Sequence, residues 1–267
     1  MKTTAISGLM RSTQDIDEAT RVLSRELIGA LAALEDSAIQ RRLLKDLVQR
    51  YVALEKRVEG LLQNTLPPAV AEEIKRTGGY PPRSFEGTIL FTDCAGFTRL
   101  AERMPAEMLI QRLHDLFSGL DGIVRGEGGT KIKTIGDSYM AFFGAPDPLP
   151  DHAVRAVRAA LACQAFLRTF NEGQPLPIEM RIGVHSGQVM GGVVGHDRMQ
   201  FDVFGDAVNT ASRFESSGEK GRVNVSERTW EQAREEFTFE PRGEIPLKNK
   251  APMRAFFVTG PRPVGKG

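Results

Sequence analysis

Cysteine is nearly absent from this chain: only Cys94 and Cys163 occur in 267 residues. Two thiols exclude a disulfide framework and suit a reducing compartment. A surplus of one charge is missing too, since 35 Lys and Arg meet 34 Asp and Glu, for a formal net charge of +1. Nothing in that balance points to nucleic acid or an anionic membrane as a partner. No apolar run is long enough to span a bilayer. The N-terminus, with one Lys and a broken apolar stretch, makes a poor signal peptide. The expectation is a cytoplasmic protein with no transmembrane segment in this chain. Histidine is scarce, and the spacing of His114, His152, His185 and His196 excludes a metal cluster built from them. There is no internal repeat and no low-complexity tract. The length allows one sizeable domain and a smaller element.

What is present is organised around residues 88–98, Thr-Ile-Leu-Phe-Thr-Asp-Cys-Ala-Gly-Phe-Thr. Ile89, Leu90 and Phe91 form an apolar run that reads as a buried strand. The run stops at Asp93, and Gly96 marks a tight turn. A carboxylate at a strand end can hold a divalent cation through oxygen. The backbone N–H groups of the following turn can face an anion. Asp beside a turn is also common for purely structural reasons, so a second carboxylate is needed. Asp137 supplies it. Lys131 to Ile135 alternates as a strand, Gly136-Asp137 has hairpin-turn chemistry, and Ser138 to Phe143 returns. In a ferredoxin-like fold the first strand and this hairpin lie side by side, so Asp93 and Asp137 can converge. Two such carboxylates repel unless a cation lies between them. A pair of divalent ions there would clamp an in-line phosphoryl displacement. The bland alternative is that Asp137 merely serves its turn.

The chain divides into three parts. Residues 1–64 form an N-terminal helical region. One helix is expected over about 14–34 and a second from a break at Glu35-Asp36-Ser37 to about Leu62. Leu44, Leu47, Tyr51, Leu54, Val58 and Leu61 recur in steps of three and four, the seam of a parallel coiled coil. A helix packed on its own domain would show a similar stripe. Residues 65–83 form a linker or transducer element, opened by Pro67-Pro68 and holding a short helix over 69–76. It reads equally as a plain linker or as a conformational input. Residues 84–260 form the main domain. Its order, strand–helix–strand–strand–helix–strand, is the split βαβ of a ferredoxin-like α+β fold. The helices are expected over 106–124, about 151–170 and 205–216. A strand is expected over 177–186, then a glycine-punctuated hairpin ending near Phe204, and a closing strand over 254–258. Cys163, His185 and Trp230 read as packing residues.

Five blocks resemble the class III nucleotidyl cyclases, and among them adenylate cyclases with a homodimeric catalytic domain. They are Leu-Phe-Thr-Asp-Cys-Ala-Gly-Phe-Thr (90–98), Lys-Thr-Ile-Gly-Asp-Ser-Tyr-Met-Ala (133–141), Met-Arg-Ile-Gly-Val-His-Ser-Gly (180–187), Phe-Asp-Val-Phe-Gly-Asp-Ala-Val-Asn-Thr-Ala-Ser-Arg (201–213) and Leu-Lys-Asn-Lys (247–250). Any one block is weak; five in order are specific. The resemblance implies a palm-type cyclase domain that converts ATP to cyclic AMP and pyrophosphate with two Mg²⁺ or Mn²⁺. It implies Asp93 and Asp137 as metal carboxylates, with the backbone carbonyl of Cys94 beside them. Gly96, Phe97 and Thr98 would hold phosphates. Lys133 and Asp202 would read the base, Asn209 would orient the ribose, and Arg213 would meet charge on the α-phosphoryl group. Arg181 and Lys248 would bind the outer phosphates. In this family one subunit supplies the metal pair and the other the base readers and Arg213, so a homodimer is implied.

The base assignment also stands on chemistry. Adenine offers an acceptor at N1 and an amino donor at N6. Lys133 only donates and ionised Asp202 only accepts. Guanine presents the reverse and would leave buried groups unpaired, at about 1–3 kcal/mol each. Two other readings stay open on sequence: a catalytically silent, nucleotide-binding relay dimer, and a guanylate cyclase. A diguanylate cyclase is disfavoured, because the hairpin reads Ile-Gly-Asp-Ser. The general base is not identified; Asp93, a metal-bound water and the substrate are the candidates.

Overall fold

The computed structural model describes residues 29, 37–63, 65–195, 198–248 and 250–263. The helix expected over 14–34 lies outside the described residues, residue 29 apart. The chain forms two compact units, Met1–Leu62 and Gln63–Gly267. In the first, α1 spans Ser37–Gln63, about 40 Å at about 1.5 Å per residue. Four of the expected seam residues, Leu44, Leu47, Tyr51 and Leu54, stand between 39% and 64% exposed. Among the described residues this apolar stripe is exposed.

The second unit begins with a short helix, α2 (Pro68–Thr77). Pro68 fits the first helical position, where its missing N–H is not needed. Gly78 ends the helix in the left-handed region, and its N–H donates to the Ile74 carbonyl at 2.8 Å. Leu66, Val70, Ala71 and Tyr80 are buried, so the segment over 65–83 packs within this unit.

The sheet is built from β1 (Arg83–Ala95), β2 (Thr130–Ile135), β3 (Ser138–Phe143), β4 (Glu179–Val194), β5 (Gln200–Phe204), β6 (Val223–Ser226), β7 (Phe237–Ile245) and β8 (Met253–Pro261). The order is β2-β3-β1-β4-β6-β8-β7, with β5 paired to the far end of β4. β1 runs antiparallel to both β3 and β4. The segment β2-β3-β1-β4 is therefore the split βαβ arrangement expected from the sequence. Helices α4 (Ala106–Gly126) and α5 (His152–Phe170) cover one face. Leu116, Leu120 and Val124 of α4 and Val157, Ala160 and Cys163 of α5 share a core with Leu90, Tyr139, Phe143, Ile182 and Val184. Side chains alternate along a strand, so Gly183, between Ile182 and Val184, faces the other way. There α6 (Asp206–Ser216) lies over it, with Phe214, Ile245, Leu247 and Ala255 as a second small core. The short helix α7 (Glu227–Ala233) carries Trp230, which stacks on Phe256 at 4.7 Å between ring centroids.

One element is added to the expected order and one strand is corrected. A separate helix, α3 (Phe97–Arg103), precedes α4. Met104 is extended at φ −120° and ψ 137°, as a residue before proline prefers, and Pro105 then opens α4. The strand over 177–186 is also longer than expected: β4 continues through Gly187, Gly191 and Gly192 to Val194. The expected hairpin ending at Phe204 is the antiparallel β4–β5 pair, while Gly187, Gly191 and Gly192 lie within β4 and mark close packing. A Cβ at position 191 would lie 2.7 Å from the Phe85 ring.

Candidate active site

Asp93 ends the buried part of β1, and register sets its neighbours. It lies opposite Ser138 on β3 and opposite Arg181 on β4. The Ser138 hydroxyl donates to Asp93 Oδ1 at 2.8 Å, and Arg181 Nη2 donates to Asp93 Oδ2 at 2.6 Å. Asp137, in the turn just before Ser138, is brought to the same place. Its pKa is raised, first by burial and then by the charge of Asp93, while the Cys94 amide hydrogen-bonds its carboxylate and opposes the rise. The convergence expected of the two acids is therefore present. The Cys94 side chain points into the core, and burial, followed by Asp137 and Asp93, pushes its thiol up to about 12. The Cys94 backbone, through its amide, is what meets Asp137.

A third acid joins them. Glu215, on α6, is 7% exposed and accepts from Arg181 Nε at 2.9 Å. Its pKa is raised by burial, with Asp93 and Asp137 adding to the rise and Arg181 opposing it. Sequence reasoning missed Glu215. The signal was an acid on the inward stripe of a helix, with buried Ala207, Ala211 and Phe214 at positions i, i+4 and i+7 and Glu215 at i+8. Gly183 lets α6 approach, since a Cβ there would lie 2.0 Å from the Glu215 backbone nitrogen.

After Asp93 the chain turns at Gly96, with φ of 80°, into α3, whose N-terminus has no side-chain cap. The amides of Phe97 and Thr98, in the first turn of this helix, lack intrahelical acceptors. Hard cations take two carboxylates together with backbone, water and phosphate oxygens, and the donor set of Asp93, Asp137 and nearby backbone fits that chemistry. Among the described residues no three His, Cys, Asp or Glu side chains group as a metal site.

A second constellation lies elsewhere on the sheet. Lys133 Nζ donates to Asp202 Oδ2 at 2.6 Å, joining β2 to β5. Asp202 is 6% exposed, and its other oxygen accepts from the Val203 amide at 2.9 Å. The Phe204 ring lies 6.0 Å from Lys133 Nζ. Asp202 pairs with Gly192 near the end of β4, whereas Asp93 pairs with Arg181 near its start. At about 3.3 Å per residue the intervening strand measures about 36 Å along its contour. β4 curves on the way and brings β5 against β2, where Gln200 Nε2 donates to the Ile132 carbonyl at 3.3 Å.

Asn209 and Arg213 sit one helical turn apart on α6. Asn209 is exposed and Arg213 half-buried, and neither side chain has a hydrogen-bond or ion-pair partner among the described residues. Lys248 is exposed in the loop before β8. Lys250 ties that loop to α6 by bonding both carboxylate oxygens of Asp206, at 2.5 and 2.6 Å. His185 is structural: its Nδ1 bonds Ser226 Oγ at 2.7 Å and its ring stacks on Phe214.

Comparison with known proteins identifies the family of this fold. Residues 80–260 match the family model described as the adenylate and guanylate cyclase catalytic domain. An adenylate cyclase of Mycobacterium tuberculosis is 37% identical over 210 residues, which is 76% of this chain and 46% of the relative. Human atrial natriuretic peptide receptor 2 is 36% identical over 227 residues, 83% of this chain and 22% of the receptor. The chain thus spans less than half the length of these curated relatives. Among solved structures, the adenylyl cyclase CyaB from P. aeruginosa superposes with a TM-score of 0.65 at 30% identity, covering 68% of this chain and 98% of that one. The guanylate cyclase domain of RhGC from Catenaria anguillulae, in complex with GTP, gives 0.65 at 34% identity, covering 67% and 100%. By family model, sequence relatives and fold, this chain belongs to the adenylate and guanylate cyclase catalytic domain family, the class III nucleotidyl cyclases.

Proposed function

We propose that the domain converts ATP to 3′,5′-cyclic AMP and pyrophosphate at sites shared between two copies of the chain. The observation that carries the choice of ATP is the Lys133–Asp202 pair at 2.6 Å. It places one obligate donor beside one obligate acceptor, the complement of adenine N1 and N6. A guanylate cyclase is the second reading, because relatives of both kinds match. The same pair argues against it, since guanine would leave both groups facing the wrong partner.

The residues divide the work. Asp93, Asp137 and the Cys94 backbone carbonyl would hold two Mg²⁺ or Mn²⁺. When bound, such ions supply Lewis-acid stabilisation of the phosphoryl oxygens. Amides at Gly96, Phe97 and Thr98 offer donors to the phosphates. Arg181 and Lys248 bind the outer phosphates, and Asn209 orients the ribose. The ribose 3′-hydroxyl gives up its proton, which passes to solvent, as its oxygen attacks the α-phosphorus; the bond from that phosphorus to the bridging oxygen breaks, and pyrophosphate leaves. The Arg213 guanidinium faces the charge that develops at the α-phosphoryl group, and positioning with electrostatics supplies most of the catalysis.

A second copy fits the surface around the base readers. Ile135, Met190, Val194, Met199 and Phe204 are each 39–55% exposed, a clustering of apolar side chains that suits an interface. The open stripe of α1 suits pairing with the same helix of a partner, as a two-chain coil or a four-helix bundle.

The test is turnover of the purified chain with ATP or GTP, with Mg²⁺ or Mn²⁺, at several protein concentrations. The expected result is cyclic AMP, a preference for ATP of roughly tenfold or more, and activity per chain that rises with concentration. Absence of cyclic product, or a preference for GTP, would contradict the reading.

A further inference from the structure

We propose that Glu215 is a positioning residue for the phosphate-binding arginine: it keeps Arg181 over the cleft when cations take Asp93 from it. The proposal rests on the reading of Asp93 as a metal ligand and Arg181 as a phosphate ligand. Arg181 is shared between two acids, through Nη2 to Asp93 at 2.6 Å and through Nε to Glu215 at 2.9 Å. These two bonds are not equivalent. A divalent cation on Asp93 competes for the oxygen that Arg181 now occupies and repels the guanidinium. The bond to Glu215 is the one that survives. It leaves the outer guanidinium nitrogens free to turn toward a phosphate, in the forked geometry that arginine prefers.

Glu215 is built for that task. Its side chain is 9% exposed, against 30% for that of Arg181, so the acid is the enclosed partner and the arginine the one that opens toward the cleft. Its backbone is pressed onto Gly183, next but one to Arg181 on β4. It also points away from the other functional face of its own helix. Arg213 lies two positions earlier, a rotation of about 200°. One helix therefore presents Asn209 and Arg213 outward and Glu215 inward. Without the Glu215 charge, Asp93 becomes the only acid among the described residues in contact with Arg181. The guanidinium then stays on the metal carboxylate, and cation and phosphate binding both weaken.

The test is a double-mutant cycle on the full chain. Calorimetric binding of Mn²⁺, and of pyrophosphate with Mg²⁺ present, is measured for the unaltered chain, Glu215→Gln, Arg181→Ala and the double variant. Glu215→Gln is expected to weaken pyrophosphate binding about tenfold, and the double variant to bind no more weakly than Arg181→Ala alone. Glu215→Asp keeps the charge and should recover at least half of the loss on a logarithmic scale, which separates lost charge from damaged packing. Unchanged binding in Glu215→Gln would overturn the proposal. So would equal losses from Glu215→Gln with and without Arg181, because the acid would then act on the cation directly. Cyclic-product assays run alongside separate the two readings. Coupled binding without turnover would remove the proposed function and leave this inference standing. Turnover without coupling would do the opposite.

Discussion

Lys133 and Asp202 lie 69 residues apart in sequence and 2.6 Å apart in space, Nζ to Oδ2. A long strand, β4, has to curve for the two to meet. The acid is almost fully buried, while 29% of the lysine side chain is exposed, which leaves one open edge for a base. Reversing the pair with Lys133→Glu and Asp202→Cys should lower the ratio of ATP to GTP turnover by roughly tenfold or more. Rates with both nucleotides, measured side by side, check this. An unchanged ratio would refute the base-reading role.

Gly183→Ala tests how α6 is held. The new Cβ would meet the Glu215 backbone nitrogen at 2.0 Å, and backbone cannot swing aside as a side-chain tip can. The expected cost is about 1–3 kcal/mol of folding stability, measured by urea denaturation. Turnover should fall as well, because the displaced helix carries Asn209, Arg213 and Glu215.

Stability should depend on pH through His185. Burial, followed by the charges of Arg228 and Lys250, lowers its pKa from 6.5 to about 4. The folded state therefore binds this proton less readily than the unfolded chain. Stability from this group is full above about pH 6.5 and is lost as pH falls toward 4. The loss is on the order of 3 kcal/mol at most. His185→Gln should be less stable at pH 7.5 but show a flatter decline between pH 7 and 4.5 in urea denaturation. Parallel declines in the two proteins would contradict the assignment.

Much of the fold was legible because local chemistry and global topology agree. The apolar run ending at Asp93 and the Gly136-Asp137 turn each have a local cause, and the strand order then follows from the split βαβ rule. What stayed hidden depends on register and close approach. Arg181 is expected only as a phosphate ligand, and its bond to Asp93 emerges once pairing sets the two opposite each other. Glu215 draws no notice in the sequence, because its role depends on Gly183 admitting α6 to the sheet. The glycines of β4 read only as punctuation of the β4–β5 hairpin, because their close packing against Phe85, Ala207 and Pro82 belongs to neighbours far away in sequence. The break before α4 was visible in Pro105, but the short helix ahead of it has too few apolar residues to show a period.

The shared site is tested most directly by mixing two inactive chains, Asp93→Ala and Arg213→Ala. Each alone should lose nearly all turnover, since both damage every site in its own homodimer. With free exchange, half of the mixed dimers are heterodimers, and each has one intact site of two. The mixture should therefore recover about a quarter of the unaltered activity. A mixture that stays inactive, while heterodimers are shown to form, would contradict the account.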